Sequence, residues 1–241
     1  MANINISKPI LIKFTSLEFA KSFRKGTIYM NTMEYFRGIE SDQYLRGDLL
    51  EGTNSIIAKD DFGEVLPELG MSFSKNMKDA IIGGMPLISE ELKHYNIFSM
   101  YHLNCDFSTE YIEPIDSRIN EFGDTFVLIF DFEEFQRRIL FELNKENDEC
   151  KYNILNFGGG KVEYYDWGFP TQKLGPLKKL KMYSYQKEYR LIAEPIEFTL
   201  EPLILNIGDI SDISIIGLTK RLIEEIHFNK DKQIVVSGYN F

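Results

Sequence analysis

The sequence predicts an α+β fold, with residues 1–241 forming a single globular domain of mixed, mostly antiparallel sheets and a few packed helices. Strand-like and helix-like stretches mix irregularly, without the sustained β-α-β-α alternation of a doubly wound sheet. No internal repeat, low-complexity tract or Pro/Ser linker divides the chain. Hydrophobic residues make up 44% of it, with 19 Phe and 13 Tyr, enough to build one substantial core.

"PILIKFT" reads as a first strand. "TSLEFAKSFRKG" reads as a helix, with Thr15 three residues before Glu18 as a capping box, Phe19, Ala20 and Phe23 on one face, and Gly26 at the stop. "TIYMN" is a second strand. From Arg37 to Glu64, "RGIESDQYLRGDLLEG" and "KDDFGE" are rich in Gly and acids, which predicts irregular loop around short strands. "ISEELKHYN" fits a short helical turn. "IFSMYHLNCDF" fits a strand with Ile97, Ser99, Tyr101 and Leu103 on one side.

"DTFVLIFDF" is a buried strand. "DFEEFQRRILFELNKE" is the clearest helix, capped by Asp131 with Glu134 three later, its stripe made of Phe135, Ile139, Leu140 and Leu143. "NFGGGKVEYYDW" reads as a glycine turn entering a strand, and "YSYQKEYRLIAE" and "FTLEPLILNI" as two further strands. "ISDISIIGLTKRLIEEIHF" supplies a strand, a turn and an amphipathic helix from about Thr219.

The formal net charge of -10 disfavours non-specific adhesion to nucleic acid or anionic membrane, so a macromolecular target is expected to be protein before nucleic acid. Cys105 and Cys150 form no C-x-x-C, which argues against a disulfide framework or zinc site and for a reducing, cytoplasmic setting. No apolar run approaches the roughly 18 residues of a membrane span. The three histidines have no metal spacing, and no metal site is expected. "GGGK" lacks the hydroxyl residue a P-loop needs after its lysine, and no G-x-S-x-G elbow occurs.

Three stretches carry chemistry. "RGDLLEG" places Asp48 and Glu51 in a glycine-flanked loop that could hold a metal, a ribose or only a turn. Between Lys161 and Arg190, seven basic residues interleave with tyrosines, a pattern that suits stacking on bases and neutralising phosphates, or a strand edge protected by lysines. In "YSYQKEYRLI", period two turns Tyr183, Tyr185, Lys187, Tyr189 and Leu191 one way, and Gln186, Glu188 and Arg190 the other. The second face is then a solvated surface or a cleft wall.

Taken in order, "LIKFTS", "GDLLEG", "IFSMYH", "YQKEYRLI" and "ISDISIIG" resemble the motifs of a widespread bacterial and phage family of domains of unknown function. More distantly, "KFTS", "FSMY" and "QKE" are similar to the ADP-ribosyltransferase pattern. That resemblance implies an ADP-ribosyltransferase-like fold and an enzyme, in a phage or defence-related role, that cleaves NAD as substrate and transfers ADP-ribose to a macromolecule. By the same resemblance Lys13 and Thr15 bind the dinucleotide, Ser99 or Tyr101 holds the nicotinamide end, Glu188 is catalytic, Gln186 orients the acceptor, and Arg190 lies beside them in the binding face. Lys13 stands where the pattern has His or Arg. The competing expectations are a non-enzymatic binding module that sequesters a protein or nucleotide, and a nuclease built on Asp48, Glu51 and a divalent metal.

Overall fold

The computed structural model describes residues 9–39, 50, 52–81, 84–148, 154–166, 172–229, 234–236 and 239–240. The fold is α+β, as the irregular mixing of patterns requires. The opening runs β1 (Ile10–Thr15), α1 (Leu17–Arg24), β2 (Thr27–Thr32), α2 (Met33–Ile39), β3 (Thr53–Ala58), α3 (Phe62–Glu68), α4 (Lys75–Ala80) and β4 (Gly84–Ile88). The middle runs β5 (Asn96–Leu103), β6 (Cys105–Asp106), β7 (Tyr111–Ile112), β8 (Thr125–Ile129), α5 (Phe132–Asp148), β9 (Ile154–Lys161), β10 (Glu163–Tyr165), β11 (Gln172–Lys173) and β12 (Lys178–Leu180). The chain closes with β13 (Glu188–Pro195), β14 (Leu203–Asn206), β15 (Ser214–Leu218), α6 (Thr219–Glu225), β16 (His227–Phe228), β17 (Ile234–Val236) and β18 (Tyr239–Asn240).

An eight-stranded, antiparallel sheet organises the molecule, and β5 is its branch point. One edge of β5 pairs with β13 from Asn96 to Tyr101, and β13 in turn pairs with β9. The other edge is shared: β1 pairs at Tyr101 to Leu103, while β2 pairs at Asn96 and Ile97. Residues 98–100 therefore have no strand partner on that edge among the described residues. From this fork β1 continues with β8 and β15, and β2 continues with β14.

Two cores cover the faces. Side chains of α1 and α5, including Phe23, Phe135 and Ile139, pack with Leu11, Phe98, Met100 and Val127 on one face. On the other, Ile12, Phe14, Tyr101 and Phe126 pack with Ile119, Tyr183, Tyr185 and Leu222. Asp131 accepts from the Glu134 amide at 3.1 Å, so the expected cap of α5 forms.

Several local expectations are corrected. Ser16, not Thr15, precedes α1, and its side chain makes no capping bond. Phe19 is 67% exposed, while Ala20 and Phe23 face inward; Leu140 of α5 is likewise exposed, so the buried stripes are narrower than the sequence suggested. The three glycines of "FGGGK" lie within β9 rather than in a turn. "KDDFGE" and the residues after it form a 3₁₀ turn and α3 instead of irregular loop. The helices α3 and α4 leave little periodicity in the sequence because both are short and one contains Pro67.

The largest correction concerns "YSYQKEYRLI". It is not one strand. Lys181–Gln186 forms a 3₁₀ turn, Lys187 takes a left-handed conformation with φ 38°, and only then does β13 begin at Glu188. The alternation of tyrosines mimics a strand, but a 3₁₀ turn also brings Tyr183 and Tyr185 into the core.

Candidate functional site

The fork in the sheet opens a cavity of about 630 Å³. A strand's antiparallel partner normally takes its edge amides and carbonyls, and successive residues direct them to opposite edges. His102 donates its amide to the Lys187 carbonyl on the β13 side. Ser99, three residues earlier, therefore turns its N–H and C=O to the forked edge. There its carbonyl accepts from Lys13 Nζ at 2.7 Å, and the same ammonium lies 4.3 Å from the centre of the Phe98 ring. A side-chain cation thus takes the place of a backbone donor in the gap.

The floor and one wall come from β1. Gly123 lets this wall sit where it does: its φ is 152°, and a Cβ there would lie 2.2 Å from the Thr15 carbonyl. Ile119 and Phe122 of the preceding 3₁₀ turn, and Phe36 with the exposed Tyr29 and Tyr35, add aromatic and aliphatic surface around the opening.

The opposite wall is ionic. Glu188, 8% exposed, lies between two cations. Lys179 Nζ donates to Glu188 Oε1 at 2.7 Å and to Gln186 Oε1 at 2.8 Å, and Arg190 Nε donates to Glu188 Oε2 at 2.8 Å. Arg190, 1% exposed, also donates to the Pro176 carbonyl at 2.7 Å. The Glu188 amide donates to Tyr164 Oη at 2.8 Å. Burial pushes the Glu188 carboxyl up, but the charges of Arg190 and Lys179 and the hydrogen bonds they donate outweigh burial and hold it well below the usual carboxylate range. It is an ionised, weakly basic group. Burial, reinforced by the charge of Glu188, raises the Tyr164 phenol above its ordinary value.

Seven sequence-predicted residues line this one cavity: Lys13, Thr15, Ser99, Tyr101, Gln186, Glu188 and Arg190. They come from three stretches of chain that only the fork brings together. The Tyr101 hydroxyl is buried without a hydrogen-bond partner among the described residues, and burial, with Glu113 and Asp116 nearby, holds its phenol in the neutral form. Of the two readings left open for the Gln186, Glu188 and Arg190 face, a solvated surface or a cleft wall, the structure has the second, because all three are buried and line the cavity. Asp48 and Glu51 lie outside the described residues. Among the described residues no cluster of three His, Cys, Asp or Glu could hold a metal.

Lys179 is the site residue that sequence reasoning missed. In the sequence it is only one charge of a basic stretch, yet it is 3% exposed. Its strand β12 runs parallel to β10, and that pairing brings Lys179 opposite Tyr164, the residue that holds the Glu188 backbone. A signal was present: Lys179 stands nine residues before Glu188 in the same basic, tyrosine-rich stretch, but no local periodicity links the two. Elsewhere in that stretch the charges are spent on ion pairs, Lys181 with Asp166 at 2.9 Å and Lys187 with Glu113 at 2.5 Å, which leaves less of a phosphate-binding strip than its composition suggests. No helix among the described residues is long and apolar enough to cross a membrane.

The arrangement is a partly open, partly aromatic cleft whose described lining holds Lys13, Lys179, Arg190 and Glu188. Comparison of the chain with protein-family models, with curated proteins and with solved structures finds no match, so its reading rests on this geometry.

Proposed function

We propose that the cleft binds an NAD-type dinucleotide and that the protein transfers ADP-ribose from it to a macromolecular target. The observation that carries this reading is the convergence of Lys13, Thr15, Ser99, Tyr101, Gln186, Glu188 and Arg190 on one cavity of about 630 Å³, a volume suited to a nucleotide-sized ligand. Loss of nicotinamide makes the ribose oxocarbenium-like, and a preorganised carboxylate lowers the energy of that developing charge. Each oxygen of Glu188 accepts one hydrogen bond from a cation, and a carboxylate has about four acceptor positions, so room remains for a ribose hydroxyl. Lys13 supplies a point charge for phosphate, and the neutral Tyr101 phenol and the aromatic rim supply stacking surface.

The test is incubation with NAD labelled in the adenylate moiety, followed by measurement of free nicotinamide and of label on protein or nucleic acid. Glu188→Gln is expected to lower both by at least about a hundredfold, a loss in the range of a removed electrostatic catalyst. Full activity in that variant would end the reading.

One observation favours a second reading, a pocket that binds nucleotide without transforming it. Glu188 is held between two cations, so its charge is largely compensated before any ligand arrives. On this reading NAD and ADP bind with similar affinity, and no nicotinamide is released.

A further inference from the structure

We propose that the outer edge of β9 is a docking surface for a second copy of this chain, the two sheets joining antiparallel about a twofold axis at Gly159. Among the described residues β9 pairs with β13 alone. The Val162 amide, one residue beyond the strand, donates to the Glu188 carbonyl at 2.9 Å, and alternation then turns the backbone groups of Gly160 and Gly158 toward β13. Phe157, Gly159 and Lys161 direct their N–H and C=O groups outward, where they have no partner among the described residues. The open run has defined ends. Leu155 stands unopposed, since Asn156 pairs with Glu194 and Ile154 with Pro195, and such a bulge bends the edge away. At the other end the Glu163 amide is taken by the Leu177 carbonyl at 2.8 Å.

Glycine makes this edge approachable. Gly158, Gly159 and Lys161 are exposed. Gly159 is required by the fold itself, because a Cβ there would lie 2.9 Å from the Arg190 carbonyl oxygen. Gly158 has no such reason within its own chain: its φ is not left-handed, and a Cβ there would meet nothing within 4 Å. A glycine inside a strand weakens it, and the close approach of another backbone is a physical reason to keep one. Edge strands are commonly guarded by Pro or by charge, yet Phe157 to Gly160 carries neither.

A second copy is the occupant that fits, because the three open residues are symmetric about Gly159. In the antiparallel register centred there, Gly159 faces its counterpart, and Phe157 faces Lys161 of the other copy. Every outward N–H and C=O of the three residues is then bonded. Gly158 falls opposite Gly160 in a pair without hydrogen bonds, where strands approach most closely, about 4.5 Å between Cα atoms. The exposed Lys161 comes over the Phe157 ring as a cation–π pair, and no like charges oppose each other. A slip of two residues either way would set an open residue against the Leu155 bulge or against Glu163, whose amide is already taken. Gly160 pairs with Arg190 on the inner side, so the contact backs the strand that carries the ionic wall. The inference is independent of what the cleft binds.

The experiment measures the mass of the intact protein by sedimentation equilibrium, together with amide hydrogen exchange, over a dilution series. Edge pairing covers less than a standard interface, so a micromolar Kd is expected, and about 100 µM protein should populate the dimer. The mass should then approach twice the 28.1 kDa of one chain. The amides of Phe157, Gly159 and Lys161 should exchange at least about tenfold more slowly than in dilute protein. Lys161→Pro removes an outward donor while leaving the bonds to β13, and should weaken association at least about tenfold. Gly158→Lys is a second variant in case the first folds poorly. Its side chain enters open space in the single chain, whereas in the dimer two ammonium groups lie diagonally across the axis, so it too should weaken association.

A parent protein that stays monomeric at that concentration overturns the inference. So does a dimer in which the three edge amides exchange as fast as in dilute protein, or one that Gly158→Lys leaves unweakened. Protection of those amides in the dilute monomer also overturns it, since the edge would then be covered by its own chain. Presence or absence of NAD cleavage bears on the transferase reading alone.

Discussion

Glu188 stands between Lys179 and Arg190 with both carboxylate oxygens bonded, and that geometry decides how substitutions there behave. Replacing one member of a buried charge cluster leaves the others uncompensated, at a cost of about 3 to 5 kcal/mol. Glu188→Gln is therefore expected to lower stability by that amount as well as to remove activity, and denaturant unfolding beside the kinetics separates the two effects. Lys179→Met keeps the Glu188–Arg190 pair, so its cost should be the smaller. The Lys179→Met/Glu188→Gln double variant should be more stable than the sum of the single losses predicts, because it removes the two opposite charges together. Acid provides an independent check. The folded protein holds the Glu188 carboxyl below its ordinary value, so its stabilising contribution is complete above about pH 4.3 and is lost as pH falls toward the folded value. Stability of the parent protein should drop more steeply below about pH 4 than that of Glu188→Gln, as read by unfolding at a series of pH values.

Elements explain why part of the site was legible and part was not. Period two correctly placed Ile97, Ser99, Tyr101 and Leu103 on one face of β5, and β1 began where its apolar run begins. The grouping of Gln186, Glu188 and Arg190 was also correct, but for the wrong reason: a turn and a left-handed Lys187 bring them together, not a continuous strand. Lys179 could not be found this way, since its partnership depends on parallel pairing of β10 with β12. At the fork, Gly123→Ala tests the wall that β1 provides. Its φ of 152° and the close Thr15 backbone leave no space for a methyl group. A loss of about 1 to 3 kcal/mol is expected, together with weaker nucleotide binding as Thr15 is displaced; unchanged affinity and melting would show that the wall is not tightly held. For α5, Phe135→Ala should cost about 3 to 5 kcal/mol, since Phe135 is fully buried at the centre of the face that supports β1 and β5.

Across the whole molecule, the charge distribution is divided. The chain carries ten more acidic than basic charges, yet the described residues that line the cleft include three cations and one carboxylate. Surface pairs such as Arg138 with the exposed Asp212 contribute little, and salt should affect them most. Nucleotide binding beside the buried Lys179 and Arg190 should weaken only modestly as ionic strength rises, far less than the steep decline of a protein that binds an exposed phosphate backbone through many contacts. Titration of ADP at low and high salt measures the difference.

The branch at β5 also bears on how the chain reaches its native state. β5 is completed by β1 and β2 from early in the sequence and by β13 from late in it, so none of its three pairings is local. Closing such distant contacts costs chain entropy before any of them is rewarded, which places this topology among slower-folding mixed domains. The cleft lies where those closures meet. It is therefore expected to form only at the end of folding, so that ligand binding reports completion of the native sheet rather than any earlier compact state.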